Sequence, residues 1–200
     1  MSILIHIKRE NGIVSFETAS VIAADLVVWV NQDKEAAHWP SLSPNQIGAA
    51  PSPNSSDVPA PGPTVAGANP PYSVSYKCLL EGHENETGTI NVFNAFSAAT
   101  AKLPDAKLNQ PLPTPVPVAT GGQSPYTINS QLFQVVAGGN IVQQGQGGVG
   151  PGLTLSATTD NTGLTVSGTP TVAGTYTFTF DATDAMGLNV QQTQFTMNIA

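Results

Sequence analysis

Three histidines and one cysteine are the only imidazole and thiol groups in this 200-residue chain. Three of these four side chains fall where their types suit one task. His38 follows an apolar run and its loop, Cys78 ends a second run, and His83 lies five residues further on, ahead of the next run. A soft thiolate and two imidazoles, drawn from a remote loop and a compact Cys–His loop, make a ligand set for a single copper ion. The thiolate binds both oxidation states covalently and the imidazoles suit both. A stiff β scaffold would hold the geometry through electron transfer, which keeps the barrier low. His6 sits in a strand-like stretch without ligating neighbours and reads as structural.

The elements that must position these side chains are strands. Ile3, Ile5 and Ile7 alternate with Leu4, His6 and Lys8, Asn11-Gly12 marks a turn, and Ile13 to Phe16 resumes the apolar pattern. Val21-Ile22 follows, then Leu26 to Val30, a nearly continuous apolar run that suits a strand buried on both faces. Tyr72 to Cys78 and Gly88 to Val92 read as further strands. Between the Leu26–Val30 run and Tyr72, residues 40–71 hold nine of the 17 prolines and no base, which predicts a long, partly extended surface excursion. The alanines at 95, 98, 99 and 101 predict a short helix over 94–102. Proline at every second position from Pro111 to Pro117 predicts a stiff linker over 101–118, separating a first domain (1–100) from a second (119–200).

The second domain carries Asp160, Asp181 and Asp184 as its only charged side chains, and Thr, Val, Gly and Gln dominate it. Short alternating stretches such as Tyr176 to Phe180 and Phe195 to Ile199, spaced by glycine turns, predict an all-β sandwich. Two carboxylates in Asp181 and Asp184 are too few for calcium, and Asp184 reads as a turn residue.

Composition excludes several function classes. Thirteen acids against six bases give a net charge of -7 with no basic block, which argues against a nucleic-acid binder. No apolar run approaches the roughly 18 residues of a membrane span. One cysteine cannot build an internal disulfide framework or a zinc site with two thiolates. No Ser-His-Asp set with a nucleophile elbow and no phosphate loop are present, so an enzyme is not expected. Ser2 to Lys8 alternates like a strand with no h-region behind it, so no secretory leader is read here.

The segments VVWVNQDKEAAHWP (Val27 to Pro40) and YKCLLEGHENETGTINV (Tyr76 to Val92) resemble the cupredoxin family. The first is similar to its strand and first-histidine loop, with Asn31 and Trp39 beside the ligand. The second is similar to its C-terminal ligand loop. The resemblance covers roughly the first 95 residues, interrupted by the proline-rich insertion. It implies His38, Cys78 and His83 as equatorial copper ligands. Where the family usually has an axial methionine, this chain has Glu86. A carboxylate is harder than a thioether, so a bound Glu86 would favour Cu(II), lower the reduction potential and give a red or green rather than blue centre. The segment GLTLSATTDNTGLTVSGTPTVAGTYTFTFDATDAMG (Gly152 to Gly187) resembles the Ig- or cadherin-like domains of bacterial surface proteins, with coverage of about residues 116–200. That likeness implies a spacer, adhesive or assembly role.

The expected protein is therefore all-β: two β-sandwich domains, the first a cupredoxin-like Greek key and the second immunoglobulin-like. Two functions are carried forward. One is mononuclear copper binding, for electron transfer or copper holding, through His38, Cys78, His83 and Glu86, with an unknown redox partner. The other is a non-catalytic structural, adhesive or secretion-associated β protein with a degenerate or incidental metal site. Domain resemblance favours an extracellular, periplasmic or surface location.

Overall fold

The computed structural model describes residues 2–23, 25–41, 60–61, 69–99 and 101–200. The chain is all-β, with sixteen strands and no helix among the described residues. It divides into two units, 1–94 and 95–200.

In the first unit the alternating and continuous apolar runs become β1 (Ser2–Glu10), β2 (Ile13–Phe16), β3 (Ala19–Ile22), β4 (Leu26–Asn31), β5 (Pro40–Ser41), β6 (Ala60–Pro61), β7 (Tyr72–Cys78) and β8 (Thr87–Phe93). Asn11 and Gly12, at φ of 52° and 79°, turn β1 directly into β2, as the twist of a two-residue hairpin requires. One sheet has the order β2-β1-β4-β6 and the other β3-β8-β7-β5, with parallel pairing of β1 to β4 and of β3 to β8. The inward residues of both sheets share one core. Ile5, Ile7, Val27 and Trp29 of the first sheet meet Val21, Tyr76, Cys78, Ile90 and Val92 of the second, which makes a sandwich. Consecutive burial of Val27, Val28 and Trp29 explains the unbroken apolar run of β4. Most of the proline-rich excursion lies outside the described residues. Its described residues include two strands of two residues each, β5 and β6, short enough to tolerate a missing proline donor.

The second unit contains β9 (Ser97–Ala98), β10 (Val116–Thr120), β11 (Thr127–Ala137), β12 (Asn140–Gln146), β13 (Leu153–Ala157), β14 (Gly163–Gly168), β15 (Gly174–Thr183) and β16 (Asn189–Ile199). Its sheets run β13-β14-β10-β9 and β12-β11-β15-β16 over a core that includes Val118, Leu164, Val166, Tyr176, Phe178, Phe180 and Phe195. Gly138-Gly139 forms the β11–β12 hairpin turn, at φ of 56° and 79°. Gly168 is needed for close approach: a Cβ there would lie 2.3 Å from the Gly152 carbonyl oxygen.

Two expectations for the middle of the chain are corrected. Among the described residues of 94–102, no helix forms. Phe96 is buried in the second core and Ser97–Ala98 pair with β10, so tertiary burial overrides the alanine propensity. Residues 101–118 are not a free linker. Leu103, Ala106 and Leu108 donate backbone hydrogen bonds to the carbonyls of Thr196, Asn198 and Ala200, and Leu103 is buried. The segment covers the outer edge of β16, which would otherwise present unpaired backbone groups.

Candidate metal centre

Pairing of β5 with β7 brings the first-histidine loop to the cysteine. Pro40 lies opposite Cys78, the Leu79 N–H donates to the Trp39 carbonyl at 2.9 Å, and the Trp39 N–H donates to Cys78 Sγ at 3.2 Å. Asn31, fully buried at the end of β4, shapes that loop from within. Its Nδ2 donates to the Ala36 carbonyl at 2.8 Å and its Oδ1 accepts the Asp33 N–H at 2.9 Å. On the other side, the loop between β7 and β8 closes on itself. The Cys78 N–H donates to the Glu86 carbonyl at 2.9 Å and the Glu86 N–H to the His83 carbonyl at 3.0 Å, around Gly82 at φ 84°.

These two loops gather His38, Cys78, His83 and Glu86, with one ligand atom of each within 4.8 Å of every other. Both imidazoles turn Nδ1 toward the same carboxylate oxygen. Glu86 Oε2 is 2.8 Å from His38 Nδ1 and 3.0 Å from His83 Nδ1. His38 is fully buried, and its ring stands edge-on to those of Phe16 and His83. Burial pushes the Cys78 thiol pKa up, against hydrogen bonds from the backbone of Trp39 and Leu80. The thiolate, not the thiol, is the form that ligates a metal.

The donor set fits a transition metal. Tetrahedral bonds of about 2.0–2.3 Å separate ligand atoms by about 3.3–3.8 Å, so the four atoms, which lie within 4.8 Å of one another, would draw together by up to about 1 Å on binding. Binding there would require each ligating imidazole nitrogen to be free of its proton. Two imidazoles and a thiolate with a fourth, harder ligand suit copper.

A second layer was not foreseen from sequence. His38 Nε2 lies 2.8 Å from Asp33 Oδ2, and Arg9 grips Asp33 through Nη2 at 2.8 Å and Nε at 3.1 Å. Burial opposes ionisation of Asp33, but the hydrogen bonds from Arg9, the Glu35 N–H and His38 outweigh it and hold the carboxyl well below the usual carboxylate range. Asp33 stands five residues before His38, but Arg9 is on a different strand, 24 positions away. His6 is apart from the cluster and pairs with Glu17 at 2.7 Å.

In the second unit, Asp184 is committed to a turn. Its carboxylate accepts the N–H groups of Gln123, Met186 and Leu188 at 2.8–3.0 Å and is buried. Asp181 accepts from Ser130 Oγ at 2.9 Å. None of the described clusters of potential metal ligands includes either residue.

Residues 106–200 match the family described as "Putative Ig domain". The second unit is an Ig-like β domain. The match lies within the second unit. No curated protein matches the chain. Among solved structures the chain is similar to an endo-fucoidan hydrolase from glycoside hydrolase family 107, at 16% identity over 93% of this chain and 28% of that one, with a TM-score of 0.33. It is also similar to the N-terminal eight Ig domains of Down Syndrome Cell Adhesion Molecule, at 14% identity over 98% of this chain and 27% of that one, TM-score 0.34. A third likeness is to the Bacteroides ovatus mixed-linkage glucan utilization locus protein SGBP-B, at 14% identity over 84% of this chain and 38% of that one, TM-score 0.27. The chain thus spans between 27% and 38% of the length of these proteins.

Proposed function

We propose that the chain is a non-catalytic structural or adhesive β protein, with the Ig-like unit acting as a spacer or assembly module. The observation that carries this reading is the family match over 106–200. The chemistry of that unit agrees with it, because Asp184 is occupied in holding its turn. The test is to locate the chain in its native source by protease shaving of intact cells and chemical cross-linking. The reading expects a surface-exposed or secreted chain held in an assembly. Recovery as a free monomer from the cytosol would overturn it.

A second reading is favoured by a specific observation, the convergence of four donor atoms in the first unit. On this reading the unit resembles a cupredoxin and holds one copper ion on His38, Cys78, His83 and Glu86. The ion would supply a one-electron couple. The residues would bind it, withhold water through the burial of His38 and Cys78, and donate the Trp39 N–H to the sulfur. Cu(II) added to the metal-free chain should bind one equivalent and produce an intense sulfur-to-copper charge-transfer band, absent in Cys78→Ala. A colourless protein that takes up zinc in preference would reassign the ion, and no uptake would leave the structural reading alone.

A further inference from the structure

His38 is held from behind by a buried carboxylate that the ligand set does not include. Asp33 is 1% exposed and His38 0%. An ionised carboxylate only accepts hydrogen bonds, and a guanidinium or a backbone N–H only donates. Asp33 Oδ1 receives the Glu35 N–H at 2.9 Å, Arg9 Nε is shared between Oδ1 and Oδ2 at 3.1 Å from each, and Oδ2 receives Arg9 Nη2 at 2.8 Å. With those donors in place, the remaining contact, His38 Nε2 at 2.8 Å from Oδ2, puts the hydrogen on Nε2. The other ring nitrogen, Nδ1, is the one that faces Glu86 and the cluster.

We infer that Asp33 is the positioning residue of the candidate metal centre: it fixes His38 with Nε2–H turned back, so that Nδ1 is presented to the ion, and Arg9 holds Asp33 in place. The inference rests on the copper reading of the first unit. A carboxylate behind a ligating imidazole orients the ring and increases its basicity, and outer partners of this kind are worth roughly 10–100-fold in metal affinity. The added negative charge also favours the more highly charged oxidation state. Asp33 does not touch the ion on this reading; it acts through His38.

The test compares wild type with Asp33→Asn and Asp33→Ala, after circular dichroism has shown each variant folded. Asn keeps an acceptor for Nε2–H but removes the charge; Ala removes both. Cu(II) and Cu(I) affinities are measured by competition with a chromophoric chelator. Asp33→Ala should weaken Cu(II) binding about 10–100-fold, with a smaller loss for Cu(I). The reduction potential should therefore rise, by about 59 mV for each tenfold difference between the two losses. Asp33→Asn should keep the charge-transfer band and still raise the potential. Wild-type affinity and potential in both variants would overturn the inference while leaving the copper reading intact. No copper uptake by wild type would remove the copper reading and this inference with it. A measurement on wild type alone guards against misfolded variants. In the Cu(I) form, nitrogen NMR should find the His38 hydrogen on Nε2 and slow to exchange; a hydrogen on Nδ1 would overturn the inference.

Discussion

Replacing Glu86 with methionine tests the cluster without any metal. One oxygen, Oε2, serves both His38 Nδ1 at 2.8 Å and His83 Nδ1 at 3.0 Å. A thioether is only a weak acceptor and cannot take over either contact. His83 is 24% exposed at its side chain, so water replaces its lost partner. His38 is fully buried, so its Nδ1 is left without one. An unsatisfied buried polar group costs about 1–3 kcal/mol. With a urea slope of about 2 kcal/mol per molar, within the range for small domains, a loss of about 2 kcal/mol lowers the midpoint by about 1 M. Both tryptophans, Trp29 and Trp39, lie in the first unit, so fluorescence reports the unfolding of that unit. The assay is urea unfolding of the metal-free chain, wild type against Glu86→Met. An unchanged midpoint would mean that Oε2 does not bridge the two histidines, and the geometry on which the copper reading depends would fall. If copper binds, the same variant should also raise the reduction potential, since a soft ligand has replaced a hard one.

Three further outcomes follow from the packing. Asp184→Ala strands the N–H groups of Gln123, Met186 and Leu188 and should cost about 2–4 kcal/mol, read by thermal unfolding; calcium or a chelator should leave the wild-type midpoint where it was, and a calcium-dependent rise would contradict the turn role. Phe195→Ala empties a fully buried position stacked on Phe178 and Phe180 at 5.4 and 5.5 Å, for an expected loss of about 3–5 kcal/mol; a loss below about 1 kcal/mol in chemical denaturation would contradict the core described here. Glu17 is held at about 2, first by Lys8 and then by His6 against the cost of burial, so its contribution is complete above its ordinary value near 4.5 and disappears as pH falls toward 2. Its side chain is 38% exposed, which limits the effect to on the order of 1 kcal/mol, and Glu17→Gln should flatten the acid limb of the stability profile.

The strands were legible because alternation is a local property. Ile3, Ile5 and Ile7 declare a half-buried strand from side-chain order alone, and Leu26 to Val30 declares one buried on both faces. The segment 94–118 misled for the opposite reason. Alanine propensity and proline spacing are also local signals, but Phe96 and Leu103 go into a core and residues 103–108 cover the edge of β16, and neither fact is written near them in the chain. Asp33 went unnoticed for a similar reason. An aspartate after Asn31 looks like loop chemistry until Arg9 and His38 are seen on either side of its carboxylate.

By itself the order of residues determined the all-β class, the Ig-like pattern of the second half and the supply of soft and imidazole ligands. Only the tertiary structure decided which atoms meet. Pairing β5 with β7 sets His38 beside Cys78, and the closed loop after β7 aims Glu86 at a histidine 48 positions earlier. Such contacts depend on which strands choose each other. That choice is made by the burial of whole sheet faces in a shared core, so no single stretch of the chain contains it.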